Sequence, residues 1–443
     1  MALPIIAIVG RPNVGKSTLF NRLIGERYSI TSEFAGTTRD RVYHEGELGS
    51  YKVILVDTGG LDFDAKASLE GDVQMQARIA VSEAHLILFV VDATEGLTAT
   101  DYDAVQLLRK SKKPIVLIAN KTDNTKSEHN LPQLFELGLG EPVSVSSIHN
   151  TGILELEAAV EKIFKKIKWQ KDPVRKKKDA RTQIAIVGKP NVGKSSLVNA
   201  LLNKNRLIVS DTPGTTVDAT DTPYHYMDHD YVLIDTAGLR RRGKAHEKLI
   251  ERFAVVRSLQ AISRADVVCL VLNYEEAIAN QDLHVSEYIL EAGKGLVIVV
   301  NKCDLMEDKI EDREKFLRTL HYRMSYMPWA PVIFVSALAK KNIHQVFELS
   351  KNIDEERRKQ IPDKEFALFL KATVQGHPPT RMGHKLTIRN GSQTDVCPPT
   401  FTVYSNKPDL IHFSYRRFLE NEIRRKFGFF GTVIKINVWE DER

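Results

Sequence analysis

The chain has 443 residues, 42% of them hydrophobic and 27% charged, with a formal net charge of +6, which is a soluble globular composition too long for a single core. Its apolar runs, such as LILFVV and LVIVV, fall far short of the roughly 20 residues a bilayer span requires, and the opening LPIIAIVG reads as a buried strand, not a secretory leader. Three widely spaced cysteines, Cys269, Cys303 and Cys397, contain no CxxC pair, so neither a disulfide framework nor a zinc site is indicated and a reducing cytoplasm is the expected location.

In chain order, IIAIVG predicts a strand that feeds Gly10-Arg11-Pro12-Asn13-Val14-Gly15-Lys16-Ser17, a match to GxxxxGK[ST], and a helix-period segment follows. Glycines at these places let backbone N–H groups turn inward around phosphate oxygens, and the helix adds its positive N-terminus. The candidate phosphate site is therefore Gly10 and Asn13 through Thr18. In it Lys16 reaches the β- and γ-phosphates and the Ser17 hydroxyl is a Mg²⁺ ligand. Thr38, in GTT, lies 22 residues past Lys16, and Asp57, at the end of the apolar strand KVILVD, lies 19 further on. A threonine hydroxyl on a loop can complete a Mg²⁺ shell when a γ-phosphate is present, the aspartate can hold the ion through water, and the N–H of Gly60 can meet the γ-phosphate. Two more apolar runs follow, AHLILFVVDA and KPIVLIANKTD. The second ends in Asn120-Lys121-Thr122-Asp123, 63 residues past Asp57. A carboxylate at Asp123 can accept both N1–H and N2–H₂ of guanine, which adenine cannot offer, and the Lys121 stem can lie on the base. VSVSSI then brings Ser146, whose backbone N–H is a candidate for the guanine oxygen.

Residues 168–181, KWQKDPVRKKKDAR, carry a net charge of +5, against −4 for residues 1–167. This segment reads either as a solvated connector or as one that also grips nucleic acid. Beyond it the whole pattern returns. QIAIVG leads into Gly188 through Ser195, with Asn191, Val192, Gly193, Lys194, Ser195 and Ser196 in the places of the first copy. Thr216 and Asp235 repeat the spacings of 22 and 19, Gly238 matches Gly60, and Asn301-Lys302-Cys303-Asp304 stands 66 residues past Asp235. Ser336 and Ala337, in VFVSAL, end the copy. Continuous apolar runs between helix-period segments predict parallel sheets covered on both faces. Positions 61 and 239, directly after the glycines of the two DxxG stretches, are Leu61 and Leu239, which cannot polarise water. Hydrolysis must then rest on Mg²⁺, Lys16 and Lys194, Thr38 and Thr216, and the backbone amides of Gly60 and Gly238. Arg240, Arg241, Arg242 and Lys244 follow Asp235 directly and are either a nucleotide-gated contact with RNA or the tail, or a solvated helix face.

From about Pro362 the pattern changes. FALFLKATVQ reads as helix or strand, HKLTIRNGS and PTFTVYSN as strands, DLIHFSYRRFLENEIRRKF as helix and GTVIKINVW as a closing strand. Tyr415, Phe418, Leu419, Ile423 and Phe427 form a core-facing stripe, with Arg416, Arg417, Arg424 and Arg425 towards the other side, either solvated or facing phosphates. Gly428-Phe429-Phe430-Gly431 has the letters of a GXXG loop, but its place before the last strand predicts a turn with buried phenylalanines.

The doubled motifs and this tail resemble the EngA/Der family of bacterial GTPases. The resemblance covers essentially the whole chain. It implies an α/β fold of two tandem P-loop GTPase domains, mostly parallel sheets flanked by helices, and a small α+β KH-like domain. The divisions are 1–167, a basic linker 168–181, 182–361 and 362–443. It also implies two sites for GTP or GDP with Mg²⁺, hydrolysis of GTP to GDP and phosphate, and a role in maturation of the large ribosomal subunit with rRNA, not DNA, as partner. The chain is expected to be a cytoplasmic monomer. Similarity to potassium-dependent GTPases implies K⁺ at Asn13 and Asn191, unless these side chains only brace their loops. The sequence departs from the family in VSSI, in GTTVDAT and in LTIRNGSQTDVCPPTF. A tRNA-modification GTPase is the alternative, disfavoured because no separate cofactor or catalytic-cysteine module is left over. A membrane GTPase is disfavoured by the lack of a spanning or amphipathic anchor.

Overall fold

The computed structural model describes residues 3–24, 43–58, 84–123, 125–169, 181–202, 221–236, 257–308, 310–381, 384–385 and 387–441. It divides into two compact units, Met1–Lys178 with Ala245–Arg257, and Asp179–Lys244 with Ser258–Arg443. No helix among the described residues is long and apolar enough to cross a membrane.

The first unit runs β1 (Ile5–Val9), α1 (Lys16–Ile24), β2 (Tyr43–Leu48), β3 (Tyr51–Asp57), β4 (Leu86–Asp92), α2 (Ala99–Lys110), β5 (Ile115–Asn120), α3 (Thr125–Leu134), β6 (Val143–Val145) and α4 (Ile153–Lys166). Its six strands lie in the order β2-β3-β1-β4-β5-β6. β2 is antiparallel to β3, and the other pairings are parallel. Every residue of β1 and β4 is buried, as a sheet covered on both faces requires. In α4, Leu156, Val160 and Phe164 recur at helical spacing and all three are buried. Phe164 meets Tyr51 of β3 at a ring separation of 5.0 Å. Burying such a ring is worth about 2–3 kcal/mol, which fixes the helix to the sheet.

The second unit opens with the same plan: β7 (Thr182–Val187), α5 (Lys194–Leu202), β8 (Thr222–Tyr226), β9 (His229–Ile234), β10 (Val267–Asn273), α6 (Asn280–Glu291), β11 (Gly295–Asn301), α7 (Glu311–Arg323), β12 (Val332–Phe334) and α8 (Gln345–Arg358). The strand order β12-β11-β10-β7-β9-β8 matches the first sheet strand for strand. Then come α9 (Asp363–Gly376), the short β13 (Thr380–Arg381) and β14 (His384–Lys385), β15 (Ile388–Val396), β16 (Pro399–Ser405), α10 (Phe413–Phe427) and β17 (Lys435–Glu440). β15 is antiparallel and β17 parallel to β16, and the core under this sheet includes Phe366 and Leu370 of α9 and Leu419 and Ile423 of α10. Two α/β domains and a small α+β domain are therefore present.

The tail differs from expectation in detail. FALFLKATVQ is helical throughout, within α9. HKLTIRNGS is split between β14 and β15. Phe429 is fully buried but Phe430 is 46% exposed, because the turn, with positive φ at Gly428, Phe429 and Gly431, sends only the first ring inward. Arg424 does not face solvent. Its guanidinium lies 4.8 Å from the Trp329 ring centroid, donates to the Phe429 carbonyl at 2.8 Å and pairs with Glu420 at 2.8 Å. Arg425, by contrast, is exposed and pairs with Glu422. The tail is joined to the preceding α/β domain through backbone as well: Leu296 N–H donates to the Gly431 carbonyl at 2.8 Å and Phe429 N–H to the Glu356 carboxylate at 2.6 Å.

Candidate functional site

The glycine loops sit at the C-terminal ends of β1 and β7, between strands that leave in opposite directions through the sheet, where open α/β sheets bind ligands. Both copies place their residues alike. A Cβ at Gly10 would overlap the Val90 carbonyl oxygen, and one at Gly188 that of Val271. Gly15 and Gly193 have φ of 92° and 94°, and a Cβ on either would strike the Nδ2 of Asn120 or Asn301. The glycines are thus required by close approach as well as by backbone freedom.

The lysines of the two loops are buried, Lys16 at 6% exposure and Lys194 at 5%. Lys16 Nζ donates to the Arg11 carbonyl at 2.8 Å, and Lys194 Nζ to the carbonyls of Gly188, at 2.6 Å, and Lys189. Burial lowers the Lys16 pKa, and the nearby Asp57 carboxylate acts against that shift. Ser17 Oγ donates to Asp57 Oδ2 at 2.6 Å, so hydroxyl and carboxylate converge as two hard oxygen donors, a set that fits Mg²⁺. In the second copy β9 stops at Ile234, and Asp235 takes a left-handed backbone (φ 55°) with its N–H held by Asp221 Oδ1 at 3.1 Å. Thr18 and Ser196 are exposed in the first turns of α1 and α5. Asn13 and Asn191 are exposed with φ of 65° and 64°, a conformation asparagine tolerates well. Neither side chain has a hydrogen bond among the described residues. Thr38, Gly60, Leu61, Thr216, Gly238, Leu239, Arg240, Arg241, Arg242 and Lys244 lie outside the described residues, as does most of the linker.

The base-side loops are tied to the phosphate loop by one residue. Asn120 Nδ2 donates to the Val14 carbonyl at 2.7 Å while its Oδ1 accepts from Ser147 N–H at 3.1 Å and Ser147 Oγ at 2.9 Å. Asn301 does the same, donating to Val192 O at 2.9 Å and accepting from Ala337 N–H at 3.0 Å. Val14 and Val192 are buried, so their side chains pack and their carbonyls serve the brace. Lys121 and Lys302 have φ of 66° and 64°, and their ammonium groups are held by Asp92 at 2.5 Å and Glu275 at 3.2 Å. Burial raises the Asp92 pKa, but hydrogen bonds from Lys121 and Thr94 outweigh that and leave it below the usual carboxylate range. Asp123 is exposed, and its pKa is lowered chiefly by the hydrogen bond from Ser146 Oγ at 2.8 Å; Asp304 is likewise exposed.

Two candidate backbone donors are engaged within the fold. The backbone N–H of Ser146 is used by the Thr151 carbonyl at 3.0 Å, and that of Ser336 by Lys341 at 3.1 Å. Their side chains are bonded too: Ser146 Oγ donates to Asp123 at 2.8 Å, and Ser336 Oγ accepts from Ala339 N–H at 3.0 Å. Sequence reading also missed Ser147, Asp92 and Arg22, whose guanidinium bonds the Ser147 and Ile148 carbonyls at 3.3 and 3.1 Å. Nothing local marks these three, since their partners lie on distant strands and loops.

The family model described as "50S ribosome-binding GTPase" matches residues 5–121 and 183–302, and that described as "KH-domain-like of EngA bacterial GTPase enzymes, C-terminal" matches residues 360–438. The protein named GTPase Der of Alkaliphilus metalliredigens is 43% identical over 439 residues, 98% of each chain. GTPase Der of Thermomicrobium roseum is 44% identical over 452 residues, covering 100% of this chain and 97% of the relative. A crystal structure of Era with MgGDPNP and a segment of 16S ribosomal RNA has 21% identity and a TM-score of 0.30, covering 59% of this chain and 93% of that one.

Proposed function

The chain belongs to the GTPase Der family and is a GTP hydrolase, and from that we propose that both α/β domains bind GTP and act together as a two-site switch in maturation of the large ribosomal subunit. The observation that carries two working sites is the duplicated brace. Asn120 and Asn301 each join the phosphate loop to the base-side loop through the same bonds, so neither copy has lost its scaffold. The proposed divisions are 1–167, the linker 168–181, 182–361 and 362–443.

In each site the following roles are proposed. Lys16 and Lys194, parked on their own loop carbonyls, exchange those partners for β- and γ-phosphate oxygens, and Gly10, Val14, Gly15, Gly188, Val192 and Gly193 shape the backbone cradle. Ser17 with Asp57, and Ser195 with Asp235, are the residues that would hold Mg²⁺, joined by Thr38 and Thr216. When bound, the ion supplies positive charge against the transferring phosphoryl group. The N–H groups of Gly60 and Gly238 meet the γ-phosphate. Asp123 and Asp304 read the guanine edge, with the stems of Lys121 and Lys302 against the ring. Asn13 and Asn191 are the proposed K⁺ ligands. The cytoplasm is the proposed location and rRNA of the large subunit the proposed partner. No observation favours a tRNA-modification role.

Asp123→Asn and Asp304→Asn, each in the full chain, should shift the affected site from guanosine to xanthosine nucleotides, because the amide then matches the xanthine edge. Retained guanine preference in both variants would overturn the base assignment. Co-sedimentation with large ribosomal subunits under a non-hydrolysable GTP analogue, compared with GDP, tests the partner. Equal, negligible binding in both states would remove the ribosomal reading.

A further inference from the structure

One set of contacts recurs in both α/β domains and belongs to none of the roles above. The residue after the first glycine of the phosphate loop is cationic in each copy, Arg11 and Lys189. Each reaches a buried aspartate in the first turn of the helix that follows the fourth strand of its domain. Arg11 Nε lies 3.6 Å from Asp101 Oδ2, and Lys189 Nζ lies 3.0 Å from Asp282 Oδ2. Asp101 and Asp282 are 0% and 1% exposed. Each aspartate also accepts from the backbone N–H three residues earlier, of Thr98 or Ala279, at 3.0 Å in both copies. The cations make the same secondary contacts as well: Arg11 with Glu95 at 3.1 Å and the Gly96 carbonyl at 3.4 Å, Lys189 with Glu276 at 3.7 Å and the Ala277 carbonyl at 3.5 Å. The second carboxylate oxygen, Oδ1, has no hydrogen-bond partner in either aspartate among the described residues. Asp101 accepts from Thr98 Oγ1 at 2.8 Å as well, but the cation is what brings an opposite charge to each buried carboxylate, and its removal leaves that carboxylate without a counter-charge.

The backbone carbonyl of the same cationic residue is the acceptor for the loop lysine, Lys16 on Arg11 and Lys194 on Lys189. We infer that Arg11–Asp101 and Lys189–Asp282 are positioning pairs that clamp each phosphate loop to the adjoining helix and so set where Lys16 and Lys194 stand when a nucleotide arrives. The inference rests on the proposal that both loops bind nucleotide. The chain carries an internal replicate, because its two copies use different cations at one place. Each therefore supplies the conservative substitution for the other.

The test is stopped-flow release of a fluorescent GDP from the full-length chain. Site one is read in a Lys194→Ala background and site two in a Lys16→Ala background. Arg11→Met and Lys189→Met should speed release from their own site about tenfold, whereas Arg11→Lys and Lys189→Arg should stay within about twofold of the parent. Asp101→Asn and Asp282→Asn should follow the methionine variants, with release from the other site unchanged. Methionine variants within about twofold of the parent would overturn the clamp. So would lysine or arginine variants as impaired as the methionine ones, since charge would then be irrelevant. Parents that bind no GDP would overturn the nucleotide reading itself and the clamp with it, and parent data alone reveal that outcome.

Discussion

Asn120→Ala is the sharpest perturbation of the candidate site. The side chain is 2% exposed and makes three bonds, to the Val14 carbonyl at 2.7 Å, Ser147 N–H at 3.1 Å and Ser147 Oγ at 2.9 Å. The hydroxyl can rotate to another acceptor, but the Val14 carbonyl and Ser147 N–H are fixed backbone groups in buried surroundings. Leaving one such group unpaired costs about 1–3 kcal/mol, so the two together cost about 2–6 kcal/mol, and about 3 kcal/mol where water partly satisfies them. Where the loop stays closed, this appears as lost domain stability. Where it opens, it appears as weaker nucleotide binding, about 100-fold for the same energy. Urea unfolding of the first domain, followed through Trp169, and fluorescent-GDP titration in the Lys194→Ala background together capture both channels. The second site, read in the Lys16→Ala background, should be unaffected. A summed effect under about 0.5 kcal/mol would refute the claim that Asn120 joins the loops energetically as well as geometrically.

His85 accepts from Ile5 N–H at 2.9 Å, and its pKa is pushed down to about 4, first by burial and then by Lys113. The folded value lies below the unfolded one, so stability is complete above about pH 6.5 and is lost as pH falls towards 4, by at most about 3 kcal/mol. His85→Gln should flatten that acid limb in urea titrations of the first domain; an unchanged limb would rule His85 out as its source. Arg424→Ala should cost about 3 kcal/mol by leaving Glu420 and the Phe429 carbonyl without a buried partner. It should also separate the melting of the small domain from that of its neighbour, whereas a single transition at the parent temperature would count against the coupling. Replacing K⁺ by Na⁺ should slow GTP turnover several-fold, and Asn13→Ala with Asn191→Ala should abolish the difference. Equal turnover in the two salts would remove the K⁺ assignment.

The parallel sheets were legible because β4, β10 and β11 are apolar up to the polar residue that ends each, as a strand covered on both faces is expected to be. The phosphate and base motifs were legible because their chemistry fixes residue type and spacing locally. What stayed hidden was pairing across the fold. Asp92 reaches Lys121 from a neighbouring strand, and Arg22 reaches Ser147 from α1, at separations no local pattern encodes. Arg424 was misread for a related reason. Helical spacing places it opposite the apolar stripe, yet Trp329 of the neighbouring domain covers that side. Thr98-x-x-Asp101 does carry a local signal, that of a capping box, but the signal speaks of a helix start and not of Arg11. The exposure of Phe430 turns on the positive φ angles of Gly428, Phe429 and Gly431, which composition does not report.

The two copies within one chain also separate physical requirement from circumstance. Where Arg11 becomes Lys189 and Thr98 becomes Ala279, the Thr98 hydroxyl bond is lost but the buried aspartate keeps its cation and its backbone N–H bond, so these two contacts are what the copies share. The asparagine braces persist with their geometry as well, whether the partner is Ser147 or Ala337, because only its N–H is common to both. The metal side diverges. Asp57 ends a strand and accepts from Ser17, while Asp235 has left the strand for a left-handed turn held by Asp221, whose carboxylate is paired with Arg264. At the place of Asp221 the first copy has Tyr43. Among the described residues the asparagine brace and the buried loop lysine are therefore common to both copies, whereas the backbone at Asp57 and Asp235 differs.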